Sequence, residues 1–157
     1  MKIETLDCEN VDILFDFINE LATHHNNISS DFNGIYPKNP VKYTLQMMAQ
    51  KIKEGISKIY IIRENNEVVG FTQCTVEQND IGIIEYLFVS PHCRNNGYGK
   101  MLMERTMEHF ENENVKDIHI EVVYGNDGAK RFYQQYGFKL QSEVLSLVKM
   151  QRHTRTK

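Results

Sequence analysis

The sequence predicts an α/β fold in which a mixed, mostly antiparallel central sheet of six to seven strands carries about four helices on both faces. Three observations predict it: two amphipathic helical segments come first, a three-stranded meander follows, and a β-α-β unit comes after the meander. A chain of 157 residues, 41% of them hydrophobic, is long enough for one domain with its own core. We expect residues 1–150 to form that single domain and residues 151–157 to form a polar C-terminal tail.

The first half of the chain predicts an initial strand, two helices and a long loop between the helices. Apolar residues recur at helical spacing over residues 11–21, and Asn10 before them is a suitable N-cap. Residues 40–54 show helical spacing again. The intervening residues 24–40 are rich in Asn, Ser, Asp, Gly and Pro, which favours a loop, and long loops in compact domains are often functional.

The second half predicts the strands of the sheet and two more helices. Three segments rich in β-branched and aromatic residues are separated by short polar turns: residues 58–63, 68–76 and 81–90. Helical spacing over residues 99–112 and alternation over residues 117–123 complete a β-α-β unit, which implies two parallel neighbouring strands. Residues 127–136 predict a short helix that ends at Gly137 in a left-handed conformation, and residues 138–141 and 144–149 predict a closing pair of strands.

The composition restricts the partners. A net charge of −3 gives no electrostatic case for nucleic acid and slightly favours a cationic or amine-bearing partner. No apolar stretch approaches the ~20 residues that span a bilayer, and the N-terminus lacks the apolar core of a signal peptide, so we expect a cytoplasmic protein without membrane contact. Cys8, Cys74 and Cys93 are too widely spaced for a zinc site, so we expect reduced thiols and no metal. A homodimer stays open, because dimers are the commonest oligomers.

A glycine-rich turn between a hydrophobic strand and a helix is the strongest local signal. Arg94, Gly97 and Gly99 occupy it, and the free N–H groups at a helix start attract anions such as phosphates. Glycine also lets the main chain approach a ligand closely. The residues alone leave a second interpretation open, in which the turn is only a tight strand-to-helix connection.

Two other phosphate-binding motifs are excluded by spacing. A Walker loop needs Ser or Thr after its lysine, whereas Lys100 is followed by Met101. The dinucleotide motif GxGxxG fails because Leu102 occupies its third glycine position.

The remaining pattern, Arg94-x-x-Gly97-x-Gly99 preceded by LFVSP, resembles the GNAT superfamily of N-acetyltransferases. A second segment, from Asn126 through Tyr133 to Phe138, is similar to that family's second coenzyme-binding motif. The resemblance is strong over about residues 57–140 and covers the first 55 residues only in their helical character. It implies that acetyl-CoA is the cosubstrate and that the first helices and their loop line the acceptor site.

The resemblance also implies a set of coenzyme-binding residues on the strand, the glycine-rich turn and the last helix. They are Leu87, Phe88, Val89, Arg94, Asn95, Asn96, Gly97, Tyr98, Gly99, Lys100, Asn126 and Tyr133. Leu87, Phe88 and Val89 would pair through their backbones with the pantetheine arm, as a further strand would. Asn126 has a compatible alternative role as the cap of the last helix.

Acetyl transfer to an amine needs a base, because an alkyl amine with a pKa near ~10.4 is mostly protonated at neutral pH. Glu85 is the candidate: it shares a strand face with Ile83 and Leu87, where a carboxylate needs hydrogen bonds or water. Many members of the similar family carry a water-linked glutamate on this strand. A solvent-facing Glu85 at the rim is the alternative, and His119 and Glu121 are weaker candidates.

The departing thiolate needs a proton, and Tyr133 is the candidate general acid, because a phenol can protonate a thiolate whose conjugate acid has a pKa near ~8.5. Aromatic packing with Phe132 and Tyr136 is its alternative role. The backbone N–H of Phe88 or Val89 would stabilise the oxyanion of the tetrahedral intermediate.

The sequence thus predicts an N-acetyltransferase in which an amine attacks acetyl-CoA directly in a ternary complex. His25, Asp31, Phe32 and Tyr36 are candidates for the acceptor site, and an ordinary polar surface loop is the alternative for them. The acceptor is a small-molecule or peptide amine, with small cationic amines slightly favoured. A non-catalytic acyl-CoA-binding or sensing module is the alternative function, and a domain with a purely structural glycine-rich turn is a third.

Overall fold

The computed structural model describes residues 1–149. These residues form five strands and four α-helices, with short 3-10 turns between them. In chain order the elements are β1 (Lys2–Thr5), α1 (Phe15–Ile28), α2 (Val41–Lys53), β2 (Ser57–Glu64), β3 (Glu67–Glu77), β4 (Ile81–Val89), α3 (Tyr98–Asn112), β5 (Asp117–Ile120) and α4 (Asp127–Gln134).

The five strands form one mixed sheet in the order β1-β2-β3-β4-β5. The first four strands pair antiparallel, and β4 pairs parallel with β5. A parallel pair needs a crossover connection, which α3 provides. The predicted α/β class, the mostly antiparallel sheet and the β-α-β unit are therefore confirmed.

The described chain divides into two compact units. The first contains Met1–Ile18 and Pro40–Glu121, and the second contains Asn19–Asn39 and the chain from Val122 onward. The whole sheet, α2 and α3 lie in the first unit. The second unit contains most of α1, the loop that follows it, and α4.

Within the first unit the helices cover both faces of the sheet. Phe17 of α1 packs its ring 5.9 Å from that of Phe71 on β3. On the opposite face, Leu102 of α3 is fully buried in a cluster with Ile62 and Val69. Burial of these apolar side chains on both faces is the main favourable term holding the layers together.

The predicted number of strands is wrong, because no strand forms among residues 138–149. The apolar side chains of this segment, Leu140, Val144, Leu145 and Leu147, are all mostly exposed. Strand propensity reflects how side chains pack on a pleated, half-buried surface. Residues 138–149 have the composition of a strand, but their apolar side chains do not pack on such a surface. The predicted tail, residues 151–157, lies outside the described residues.

Candidate active site

The central feature of the site is a β-bulge in β4. Gln73 of β3 pairs with Tyr86, and the next residue, Cys74, pairs with Ile84. Glu85 is therefore the extra residue that has no partner in the ladder. Bulges of this kind re-aim a side chain and are frequent next to active sites.

The bulge changes which side chains share a face of β4. Glu85 contacts Lys51 of α2, whereas Leu87 packs with the cluster that contains Leu102 of α3. The expectation that Glu85 and Leu87 share a face is therefore wrong. One extra residue reverses the two-residue alternation of a strand, so the segment after the bulge turns its side chains the other way.

The carboxylate of Glu85 has a donor on each oxygen. The Lys51 ammonium lies 2.6 Å from Oε1, and the Thr75 hydroxyl donates a hydrogen bond to Oε2. The Lys51 and Glu85 side chains are 27% and 22% exposed. The carboxylate is thus anchored in the protein and still reachable by water.

Beyond the bulge, one edge of β4 is open. Strand β5 pairs only with Ile81–Ile84, and within residues 1–149 no other strand pairs with β4 on that side. The Ser90 N–H donates to the Val69 carbonyl at 2.9 Å. By the alternation of an antiparallel ladder, the backbone of Phe88 then faces β3, and the backbones of Leu87 and Val89 face the open edge.

The glycine-rich turn follows the open edge directly. Asn95 and Gly97 adopt positive φ angles of 66° and 80°, and Gly97 is the N-cap of α3. Helix α3 has its first intrahelical bond from the Met101 N–H to the Gly97 carbonyl, at 3.1 Å. The N–H groups of residues 98–100 therefore precede the helical ladder at the positive end of the helix dipole, an arrangement that binds anions.

Side chains of the turn hold it against the sheet. Asn96 donates to the Cys93 carbonyl at 3.1 Å, and Arg94 donates through Nε to the Val89 carbonyl at 3.1 Å. Tyr98 is buried, and a hydrogen bond to Glu64 raises the pKa of its phenol to about 12. A buried Tyr98 side chain leaves only the backbone of that residue for ligand binding. Lys100 and Gly99 lie on the first turn of α3.

In the second unit, the structure brings His25 and Tyr36 together, with ring centroids 5.3 Å apart. Asn26 holds the loop closed: its Oδ1 accepts from the N–H groups of Gly34 and Tyr36 at 2.9 and 3.0 Å. Burial, with a smaller contribution from His24, lowers the pKa of His25 to about 4, so its imidazole is neutral at physiological pH.

The other two predicted acceptor residues lie between His25 and Tyr36 in the chain. Asp31 is exposed, and Phe32 is half-buried with its carbonyl accepting from the Ile35 N–H at 3.3 Å. The packed centre of the loop is the pair of rings of His25 and Tyr36 together with the Asn26 amide, whose Nδ2 group donates to the Tyr36 carbonyl at 2.8 Å.

Asn126 and Tyr133 both have structural roles on α4. Asn126 accepts from the Ala129 N–H at 3.2 Å and so caps the helix, as its alternative role predicted. Tyr133 is buried between Phe132 and Phe138, with ring centroids at 5.3 and 5.8 Å. Burial raises the pKa of Tyr133 well above that of an ordinary phenol, so this side chain keeps its proton throughout the working range of an enzyme.

Sequence reasoning missed two residues of this site, Lys51 and Thr75. Nothing in the sequence pairs Lys51 with a glutamate 34 residues away. Thr75 offers a signal, since Gln73 and Thr75 are polar residues at a two-residue spacing inside the buried strand β3. Such a pair on one face of a central strand indicates a buried polar network.

Residues 1–149 contain neither a metal-binding cluster nor a membrane-spanning helix. No group of three His, Cys, Asp or Glu side chains lies close enough together to hold a metal ion there. In the same range, no helix has the length and apolar character needed to cross a membrane.

Comparison with known proteins identifies the family. The family model described as Acetyltransferase (GNAT) family matches residues 21–138, which is most of the chain. The chain therefore belongs to the GNAT family of acetyltransferases, and the resemblance inferred from the two motifs is confirmed.

Individual relatives share only a modest fraction of identical residues with this chain. An uncharacterized N-acetyltransferase of Bacillus subtilis, YhfO, is 32% identical over 94 residues, which cover 57% of this chain and 63% of the relative. The match thus spans less than two thirds of that relative's length. Among solved structures, a tetramutant of the BH1408 protein of Bacillus halodurans has a TM-score of 0.77 at 18% identity, covering 94% of this chain and 99% of that one.

A third similar protein was solved with a ligand. The PaiA N-acetyltransferase of Thermoplasma acidophilum, in complex with coenzyme A, has a TM-score of 0.75 at 16% identity and covers 92% of this chain and 94% of that one. At these identities, the two structural likenesses show the fold.

Proposed function

We propose that this protein is an acetyl-CoA-dependent N-acetyltransferase that acts on a primary amine. The observation that carries the proposal is the open edge of β4, which lies between a bulged glutamate and an anion-binding turn. The pantetheine arm would pair with the backbones of Leu87 and Val89, and the diphosphate would bind the N–H groups at the start of α3. Family membership supports the same coenzyme.

The reaction proceeds by direct attack. Glu85 accepts a proton from the acceptor ammonium, directly or through a water, and the neutral amine attacks the thioester carbon. The Val89 N–H faces the open edge, and we therefore prefer it to the Phe88 N–H as the donor that stabilises the oxyanion. The nitrogen of the tetrahedral intermediate then gives up its second proton to water, the carbon–sulfur bond breaks, and Tyr133 donates its proton to the departing thiolate and is reprotonated from solvent.

Small cationic amines are the proposed acceptors. The net charge of −3 favours their approach. His25 and Tyr36, which the loop after α1 holds together, are the proposed lining of the acceptor site, where a neutral imidazole beside a phenol ring suits an amine substrate. Fold and coenzyme do not themselves determine an acceptor.

Acetyl-CoA is expected to raise the melting temperature of the protein, because a ligand at about 100 times its dissociation constant adds roughly 2.7 kcal/mol to the stability of the native state. Differential scanning fluorimetry with acetyl-CoA, and with adenosine as the control ligand, measures this. An unchanged melting temperature with acetyl-CoA would contradict the proposed function. Thiol release with a panel of amines then distinguishes a transferase from a sensing module, which would bind the coenzyme and release no thiol.

Tyr133→Phe is expected to lower kcat by about tenfold and to leave acetyl-CoA binding unchanged. The effect is moderate because a thiolate with a conjugate-acid pKa near ~8.5 is already a fair leaving group. Thiol release at saturating substrates measures kcat, and Tyr136→Phe, just beyond the same helix, serves as the control. Equal turnover in Tyr133→Phe and the wild type would exclude Tyr133 as the acid.

A further inference from the structure

Three buried polar side chains lie in a row behind Glu85, on the face of the sheet that α2 covers. Gln73, Ser57 and Thr75 are almost completely buried. The Gln73 Nε2 group donates to the Ser57 hydroxyl at 3.0 Å, and the hydroxyls of Ser57 and Thr75 lie 2.9 Å apart. The Thr75 hydroxyl in turn donates to Glu85.

The direction of these hydrogen bonds is determined by counting protons. The Thr75 hydroxyl has one proton and gives it to Glu85, so it accepts in its 2.9 Å contact with Ser57. The single Ser57 proton has two acceptors within reach, the Thr75 hydroxyl at 2.9 Å and the Cys74 carbonyl at 3.3 Å, and Thr75 is the nearer one. Ser57 accepts from Gln73 with one of its two lone pairs. When the Ser57 proton points to Thr75, the row is polarised, with each proton directed toward the Glu85 carboxylate. Successive hydrogen bonds that point the same way strengthen one another in a low-dielectric interior.

Lys51 completes the arrangement from the other side. Its ammonium lies 2.6 Å from the Glu85 oxygen that Thr75 does not contact. Each Glu85 oxygen thus accepts one hydrogen bond from within the protein. A carboxylate can accept about four hydrogen bonds, so each oxygen can accept one more, from a water or from the substrate amine. Glu85 is also the residue that the bulge displaces from the ladder, so these side chains fix a carboxylate that the strand alone would not orient.

We propose that Lys51 and Thr75 are positioning residues for the Glu85 carboxylate, with Ser57 and Gln73 as the second layer that orients Thr75. The inference rests on the proposed function, in which Glu85 is the base. A general base must lie within hydrogen-bond reach of the proton that it removes, and a misplacement on the order of 1 Å can cost about a hundredfold in rate. Two donors on two different elements, α2 and β3, restrict both oxygens at once.

The test is a pair of double-mutant cycles in kcat. Lys51→Met and Thr75→Val are each expected to lower kcat about tenfold at an unchanged KM for acetyl-CoA. In a Glu85→Gln background neither substitution is expected to lower kcat further, because the carboxylate to be positioned is gone. Lys51→Arg, which keeps a cation, should retain most of the activity.

Two matched controls separate positioning from stability. Arg63→Met removes a comparable ion pair, Arg63 with Glu4 at 3.2 Å and 34% and 30% exposure, away from Glu85. Thr72→Val removes another buried hydroxyl of β3. The Thr72 hydroxyl contacts Thr106 of α3, on the face of the sheet opposite to Glu85. Both controls should keep the kcat of the wild type. In Thr75→Val, Ser57 retains an acceptor in the Cys74 carbonyl at 3.3 Å, so this variant should fold.

Unchanged kcat in Lys51→Met and Thr75→Val would overturn the inference, and so would equal losses in the wild-type and Glu85→Gln backgrounds. Loss of kcat in the two controls to the same extent would also overturn it, since the effect would then be one of general stability. A wild-type protein that binds acetyl-CoA but releases no thiol with any amine would remove the proposed function itself, and the inference with it.

Discussion

Glu85→Gln is expected to lower kcat by about a hundredfold or more, because a positioned base contributes on the order of 10²–10⁴-fold to such a reaction. Glutamine has the same size and can still accept a hydrogen bond, but it cannot take a proton from an ammonium at neutral pH. Thiol release at saturating acetyl-CoA and amine measures kcat. The melting-temperature increase with acetyl-CoA should stay as in the wild type, because the coenzyme would contact the open edge and the turn.

Glu121→Gln is the matched control for this substitution. Glu121 lies just after β5, is exposed, and is one of the two weaker candidates for the base. Its substitution should leave kcat unchanged. A hundredfold loss in Glu121→Gln together with normal turnover in Glu85→Gln would transfer the role of base to Glu121.

Phe71→Ala is expected to cost about 3–5 kcal/mol in the free energy of unfolding, a large part of the roughly 5–15 kcal/mol that holds a domain folded. Phe71 is completely buried, and its ring lies 5.9 Å from each of the rings of Phe17 and Tyr86. Removing the ring reduces the apolar surface that folding buries and leaves a cavity beside these two rings. The midpoint and slope of urea denaturation measure the loss.

Phe15→Ala serves as the comparison, because Phe15 is 46% exposed at the start of α1. Its loss should be about 0.5 kcal/mol or less, as is usual for surface positions. A loss below about 1 kcal/mol in Phe71→Ala would contradict the packing described for this face.

The parts of the fold that the sequence predicts are those with strong local signals. Helix α3 has helical apolar spacing after a glycine, and strands β2, β3 and β4 have β-rich segments between polar turns. Gly137, predicted to end the last helix in a left-handed conformation, has a φ of 92°. These signals need only neighbouring residues, and so they can be read from the chain alone.

The parts that could not be predicted depend on distant partners. Residues 81–89 are apolar on both sides of Glu85, with no alternation that would reveal an extra residue, and the bulge becomes visible only in the register against β3. The pair of Lys51 and Glu85 requires α2 to lie against the sheet. Composition predicts the closing strands, but pairing depends on an available partner and a surface to cover, and neither can be read from residues 138–149.

The bulge at Glu85 limits how this strand can change in length. Substitution of one residue for another leaves the direction of its neighbours intact, whereas deletion or insertion of a single residue at this point would turn every side chain of residues 86–89 to the opposite face. Phe88, which packs 5.8 Å from Phe17, and Leu87, which packs in the cluster beneath α3, would exchange environments. The strand tolerates variation in the identity of its residues far better than variation in their number.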